Sequence, residues 1–390
     1  MTRYEVNSWR FFMAKCNFQR LAVNAWHLHS NIYYATKKGG GSMLVARNEQ
    51  RDLVYSMRYS RHELQQLQQM TAFFCPQCQA PVQLKLGAII TPHFAHKNAT
   101  SCTKLFSEGE SAAHLAGKIQ LYEWLQQRSI FVMLEPTIEG VTQRPDLLVV
   151  FDEQEYALEF QCSTISSSVI KKRSEGYRAV GITPVWIFKA PTFASYQAVI
   201  QQRISKMYQA GAEDFILFYA PQTKTFTYAS HLYRLYNDQF IVRLSRITLT
   251  NQHFPFYKPA PLTEVQRKYY ASCYQHANTH LLSNCLRFPR QPQAIRLRAC
   301  AADLRCAMID LTASIPCSLP HTLGADMVWQ SELRAYSKQA SCDIVDIEPH
   351  AFLQTYRYPI TDANVQMLSY YCHEFAKRKL QALTELFAFS

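Results

Sequence analysis

The sequence predicts an α/β protein in three parts: a small β-hairpin module, a mixed sheet flanked by helices, and a mostly helical C-terminal domain. Three observations predict it. A Cys75-Pro76-Gln77-Cys78 knuckle is followed by an alternating run, a glycine at 87, and a second short run that ends on His93 and His96. Between residues 110 and 189, a helical period gives way to short apolar runs, a second helical stretch and a last apolar run. Beyond residue 200, helical apolar patterns alternate with proline-rich breaks. A chain of 390 residues exceeds one comfortable core, so several domains are expected. The divisions fall at 1–42, 43–105, 106–195 and 196–390.

Residues 1–42 differ from the rest. They carry six Lys/Arg and one acid, lack a clear period, and end in Lys37-Lys38-Gly39-Gly40-Gly41-Ser42. Purine-rich codons for Lys-Lys-Gly-Gly-Gly have the composition of a translated ribosome-binding site, which makes Met43 the expected start. The other reading is a basic arm followed by a flexible linker. The whole chain has a net charge of +12 and 13% aromatic residues, which suits an anionic partner and excludes a disordered protein. No window approaches a membrane span, and no secretory leader is evident. Twelve unevenly spread cysteines, one pair with metal spacing, point to reduced thiols in a cytoplasmic protein.

In the hairpin module, Cys-x₂-Cys presents two thiolates to one tetrahedral Zn²⁺ and leaves two places to fill. Pro81 to Leu86 alternates, Gly87 breaks the run, and Ala88 to Thr91 starts the return, bringing His93, His96 and Cys102 toward the knuckle. Five side chains compete for four places. Cys75, Cys78, His96 and Cys102 are the preferred set, with His93 the alternate or a supporting partner. Such a zinc is structural, because a module this small lacks the core to fold alone.

The central segment reads as a helix over 110–127, strands near 130–135, 145–151 and 156–162, a helix over 168–179 and a strand over 184–189. Glu110 opens the first helix. Asp146 follows Pro145 and leads the apolar run Leu147-Leu148-Val149-Val150. Glu159 and Gln161 share one face of their strand and Phe160 takes the other. Polar residues on an inner strand are costly without partners, and a metal would supply them. Acids at the ends of successive elements suit a Mg²⁺- or Mn²⁺-dependent phosphodiesterase, whose metal takes hard oxygen ligands and acidifies water. Solvated strand-end carboxylates are the alternative.

In the C-terminal domain, 362–388 reads as one amphipathic helix. Cys273, His276 and His280 share a helical face, with Cys285 following, so a second zinc site competes with buried cysteines and capping histidines. Tyr269, Tyr270 and Tyr274 interleave with Arg267 and Lys268 as a single-strand stacking platform would, or as core tyrosines would.

The ordered segments Met43-Leu44-Val45-Ala46, Phe74-Cys75-Pro76-Gln77-Cys78 and His93-Phe94-Ala95-His96-Lys97 continue with Glu108-Gly109-Glu110-Ser111, His114 and Gly117-Lys118. Gln143-Arg144-Pro145-Asp146, Glu159-Phe160-Gln161-Cys162 and Val185-Trp186-Ile187 follow. With these segments, residues 43 to about 190 resemble the competence protein CoiA family. Beyond 200 the resemblance rests on Leu319-Pro320 and Trp329-Gln330. It implies a cytoplasmic role in natural transformation, on internalised DNA during recombination, and a core resembling PD-(D/E)xK nucleases in αβββαβ order.

Carried over by position, the resemblance implies that Glu110 completes a metal shell, Asp146 is its central ligand and Glu159 the second. Gln161 stands where that superfamily has lysine, and glutamine orients water without supplying charge. Lys118 then either supplies the missing cation or contacts phosphate from the surface. Arg144 is either a phosphate clamp or a structural ion pair. Lys171, Lys172 and Arg173 form a basic helix start suited to DNA backbone contact, or a solvated face. Three functions compete: a metal-dependent nuclease on single-stranded or branched DNA, a non-catalytic DNA-binding recombination factor on a nuclease scaffold, and an adaptor that recruits a recombinase.

Overall fold

Alternation along the N-terminal module produces more strands than a single hairpin. The computed structural model describes residues 42–378 except 88–90, 97–110, 141–142, 192–195, 211–214, 237–238, 313, 318 and 320. Thus residues 1–41, Cys102 and Glu110 lie outside the described residues. Strands β1 (Ser42–Met43), β2 (Val45–Arg47) and β3 (Leu53–Tyr55) precede helix α1 (Arg61–Met70). Ser60 and Glu63 cap α1 reciprocally. Strands β4 (Phe73–Phe74), β5 (Pro81–Lys85) and β6 (His93–His96) complete an antiparallel sheet in the order β1-β6-β5-β4-β2-β3. The expected hairpin is β5 with β6, in which Val82 faces His96 and Lys85 faces His93. Phe73, Val82, Leu84 and Phe94 form its small core.

The central segment runs α2 (Ala112–Gln126), β7 (Phe131–Leu134), β8 (Leu147–Phe151), β9 (Gln154–Gln161), α3 (Ser167–Arg178) and β10 (Thr183–Lys189). It does not end there. After α4 (Tyr196–Gln209), the strands β11 (Phe215–Ala220), β12 (Thr225–Arg234) and β13 (Phe240–Thr248) extend the same sheet to seven strands, in the order β13-β12-β11-β10-β9-β8-β7. The expectation of a mostly helical domain from residue 196 is therefore corrected: the sheet continues to Thr248. Phe218, Phe226 and Tyr228 are fully buried, and β11 in particular is apolar throughout, without the polar alternation that marks a half-exposed strand. Strands β9, β10 and β11 pair in parallel and the other neighbours antiparallel.

Leu147, Leu158 and Phe160 pack with α2 residues Leu115 and Leu121. Leu148 and Ala157 pack with Tyr177 of α3. Gly117 brings α2 close, since a Cβ there would overlap the Phe160 ring.

The remainder is helical: α5 (Glu264–Arg287), α6 (Pro292–Leu304), α7 (Asp326–Ala340), α8 (Pro349–Thr355) and α9 (Asp362–Arg378). Met367, Leu368 and Tyr371 of α9 are buried, as the amphipathic pattern requires. For the tyrosines of α5 the core alternative holds, because Tyr270 and Tyr274 are buried and donate to His231 O and Asp326 Oδ2. The second zinc site does not assemble either. Cys273 and Cys285 are buried in separate apolar clusters, and His280 Nδ1 meets the Tyr236 hydroxyl. No helix among the described residues is long and apolar enough to cross a membrane.

Candidate functional site

A tight turn after β4 shapes the knuckle: Gln79 N–H donates to Cys75 O, and Cys75 N–H to Ala80 O. Strand β6 then lays His96 beside it, with Cys78 Sγ 3.2 Å from His96 Nε2. The ligand atoms of Cys75, Cys78 and His96 all lie within 4.8 Å of one another, and among the described residues no other group of three or more metal-capable side chains does. Burial pushes the Cys75 thiol up, and burial together with the Arg144 charge pushes His96 down. A neutral imidazole beside thiols is the donor set a zinc ion takes. His93 lies three residues before His96 on β6 and binds the Thr91 carbonyl through Nδ1 at 2.9 Å. The structure thus brings His96, and not His93, to the knuckle.

The second constellation forms where α2 crosses the start of β8. Ser111 caps α2 by accepting from His114 N–H, which sets the first turn, and His114 and Lys118 share one helix face. His114 Nε2 lies 3.1 Å from Asp146 Oδ2, and the Phe160 N–H donates to the same oxygen at 2.8 Å. Lys118 Nζ is 3.6 Å from Asp146 Oδ1 and 2.5 Å from Glu135 Oε1. Burial alone would raise Asp146, but His114, Lys118 and the Phe160 N–H hold it below the usual carboxylate range. The Asp146 side chain keeps 15% exposure, so a charged oxygen-donor group stands at the mouth of the sheet.

Glu159 lies deeper, with 3% exposure. Arg173 of α3 pairs with its Oε1, and the Tyr177 hydroxyl donates to the same oxygen at 2.5 Å. Burial raises Glu159 to about 7 despite Arg173, and the Asp146 charge adds to the rise. Gln161 bonds the Ser163 hydroxyl at 2.7 Å.

Two sequence expectations are corrected. Arg173 is not part of an exposed basic face but the buried partner of Glu159, with its guanidinium over the Trp186 ring. Lys118 is not a surface phosphate contact, since it is fully buried. Arg144 takes the ion-pair alternative, 3.3 Å from Glu135 Oε2. Lys171 and Lys172 are exposed, and Lys171 lies 3.9 Å from Glu175. Sequence reading missed Glu135 as a site residue and His114 as an Asp146 partner. The His114-x₃-Lys118 spacing was the signal for the second, while nothing local marks Glu135.

An α/β core with acids gathered at strand ends, joined to a Cys/His module, defines a nuclease-like protein class. Comparisons agree: the family model described as "Competence protein CoiA, nuclease-like domain" matches residues 110–258. The model "Competence protein CoiA, N-terminal domain" matches 56–104. The chain belongs to the competence protein CoiA family. A curated relative, Competence protein CoiA of Bacillus subtilis (strain 168), is 37% identical over 169 residues, or 43% of this chain and 45% of that protein. The chain thus spans less than half the length of that relative. No solved structure matches.

Proposed function

We propose that this protein is a metal-dependent DNA nuclease that processes internalised DNA during natural transformation. The observation that carries the reading is Asp146: a partly exposed carboxylate held in its charged form at a strand mouth, one strand from Glu159. The donor set fits a hard cation. Both hydrogen bonds to Glu159 fall on Oε1, leaving Oε2 for a cation, while Asp146 Oδ1 faces Lys118 at 3.6 Å rather than at bonding distance. Asp146 and Glu159 would hold Mg²⁺ or Mn²⁺, with Glu110 completing the shell, and the ion would neutralise the scissile phosphate and acidify a water. Gln161 orients that water, and Lys118 supplies the positive charge that Gln161 lacks. Lys171 and Lys172, exposed at the start of α3, contact the DNA backbone. Single-stranded or branched DNA is the proposed substrate, recombination proteins are the partners, and the compartment is the cytoplasm.

The deciding experiment is cleavage of single-stranded, duplex and branched DNA with Mg²⁺ or Mn²⁺, against a chelator control. Metal-dependent cutting supports the nuclease. A specific observation favours a second reading, a non-catalytic DNA-binding recombination factor: Glu159 is already paired with Arg173, and Gln161 is already bonded to Ser163. DNA binding without cutting on every substrate would put that reading first.

Two further outcomes are expected. Replacing Lys171 and Lys172 by alanine weakens DNA binding across sequences and lowers the salt slope of log K by about 2, roughly one for each phosphate no longer neutralised. Fluorescence anisotropy over a salt series checks this, and an unchanged slope would remove both lysines from the interface. In the N-terminal module, Cys75, Cys78, His96 and Cys102 hold one structural Zn²⁺. Purified protein is expected to carry one zinc per chain, lost in Cys78→Ala and kept in His93→Ala, because His93 is engaged with Thr91. Metal analysis of the two variants reads the difference.

A further inference from the structure

Glu135 has no place in the proposed metal shell, yet it is buried as deeply as Glu159. It directly follows β7, with 3% exposure and a backbone φ of +49°, a conformation non-glycine residues seldom adopt. Its N–H donates to Asp146 O at 2.9 Å, which sets the two acids across from each other. Its carboxylate accepts from Lys118 Nζ at 2.5 Å and pairs with Arg144 at 3.3 Å. It also accepts from the Leu44 N–H at 3.3 Å. Leu44 lies between β1 and β2 of the Cys/His module, 91 residues away in sequence. Arg144 is charged within reach of both Glu135 and His96.

A fully buried lysine has rotamer freedom to lose, and only a fixed counter-charge keeps it in one place. Glu135 is that counter-charge. We infer that Glu135 is a positioning residue: it holds Lys118 against Asp146 and, through the Leu44 N–H, ties that contact to the docking of the Cys75/Cys78/His96 module. The module is then more than a folded appendage, because its first strands complete the support of the acid site. The inference rests on the nuclease reading for its activity consequence and on geometry alone for the link between modules.

The test uses the full chain as wild type, Glu135→Gln, Lys118→Met, the double variant, and Glu135→Asp, which keeps the charge. Mn²⁺ affinity by calorimetry, kcat and KM on DNA, and hydrogen exchange at residues 43–47 are read together. Glu135→Gln is expected to weaken Mn²⁺ binding and kcat by about 10–100-fold, as loss of a residue supporting a metal ligand does, with KM within about twofold. Lys118→Met gives a similar loss, and the double variant is no worse than the poorer single, because the two act as one unit. Exchange at 43–47 speeds up by about tenfold or more in Glu135→Gln, as local opening becomes easier, and Glu135→Asp recovers part of each effect. Wild-type Mn²⁺ affinity in Glu135→Gln, multiplicative losses in the double variant, or unchanged exchange would each overturn the inference. A wild type that neither binds Mn²⁺ nor cuts DNA sinks the nuclease reading alone, and exchange at 43–47 then decides the link by itself. If Glu135→Gln does not fold, Glu135→Asp carries the same comparison.

Discussion

Asp146→Asn is expected to lower metal-dependent DNA cleavage by about a thousandfold or more while leaving the fold intact, a loss equivalent to roughly 4 kcal/mol of transition-state stabilisation. The substitution is nearly isosteric. Its amide oxygen still accepts from the Phe160 N–H, the bond that fixes this side chain at the start of β8. What disappears is the negative charge that would attract the cation. The cost to folding is small for a stated reason: Lys118 keeps Glu135 as its closer partner, at 2.5 Å against 3.6 Å for Asp146. No buried cation is therefore left without an anion. DNA affinity is expected to hold within about threefold, since phosphate contacts come from elsewhere and supply most of the binding. Single-turnover cleavage with a Mn²⁺ titration, beside a melting curve, checks all three statements. Cutting at more than a tenth of the wild-type rate would show that Asp146 is not the central metal ligand.

The core strands were legible because each has a local signature. Leu147 to Val150 is an unbroken apolar run bounded by Pro145 and Asp152, and Glu159 and Gln161 alternate around Phe160. The strands from 215 to 248 carry a different one. Phe215-Ile216-Leu217-Phe218-Tyr219-Ala220 has no period at all, and periodicity alone does not separate a doubly buried strand from a buried helix. The enrichment in β-branched and aromatic residues was the better guide, since it continues through β12 and β13.

At the site, the pattern of misreading is physical too. Three consecutive basic residues on a helix span about 200°, at roughly 100° per residue, so they cannot all face solvent on a helix with one buried stripe. Ile170, Ser174 and Tyr177 mark that stripe, and Arg173 falls on it while Lys171 and Lys172 do not. Glu135 had no such marker. Leu134-Glu135-Pro136 reads as an ordinary strand end, and its partners lie 17 and 91 residues away. Ion pairs formed by tertiary structure leave no trace in local spacing. The zinc ligands sit between these extremes. The spacing identified the knuckle, but the choice of His96 over His93 needed the register of β6 against β5.

The buried pair between Glu159 and Arg173 has the largest stability consequence, and its size depends on pH. Arg173→Met fills much of the same space but removes the guanidinium, leaving Tyr177 as a donor to Glu159. Breaking a buried pair by removing one partner costs roughly 3–5 kcal/mol when the other stays charged. In the wild type, Glu159 titrates at about 7 when folded, above its ordinary 4.5, because burial disfavours the charged form more than Arg173 favours it. A carboxyl raised on folding contributes stability that is complete below pH 4.5 and is lost as pH rises through about 7. Without Arg173, the folded value rises further, and the decline continues to higher pH. Plots of unfolding free energy against pH should therefore run parallel for wild type and Arg173→Met between about pH 5 and 6.5. They should diverge above about 7, with the variant losing stability through pH 8 and 9. Adding Glu159→Gln to Arg173→Met removes the titrating group, so this protein should show neither the decline of Arg173→Met above pH 7 nor the decline of the wild type between about pH 5 and 7. Urea unfolding at five pH values on the three proteins measures this. A gap between wild type and Arg173→Met that stays constant from pH 5 to 9 would mean that Glu159 does not take up the burden of the missing arginine.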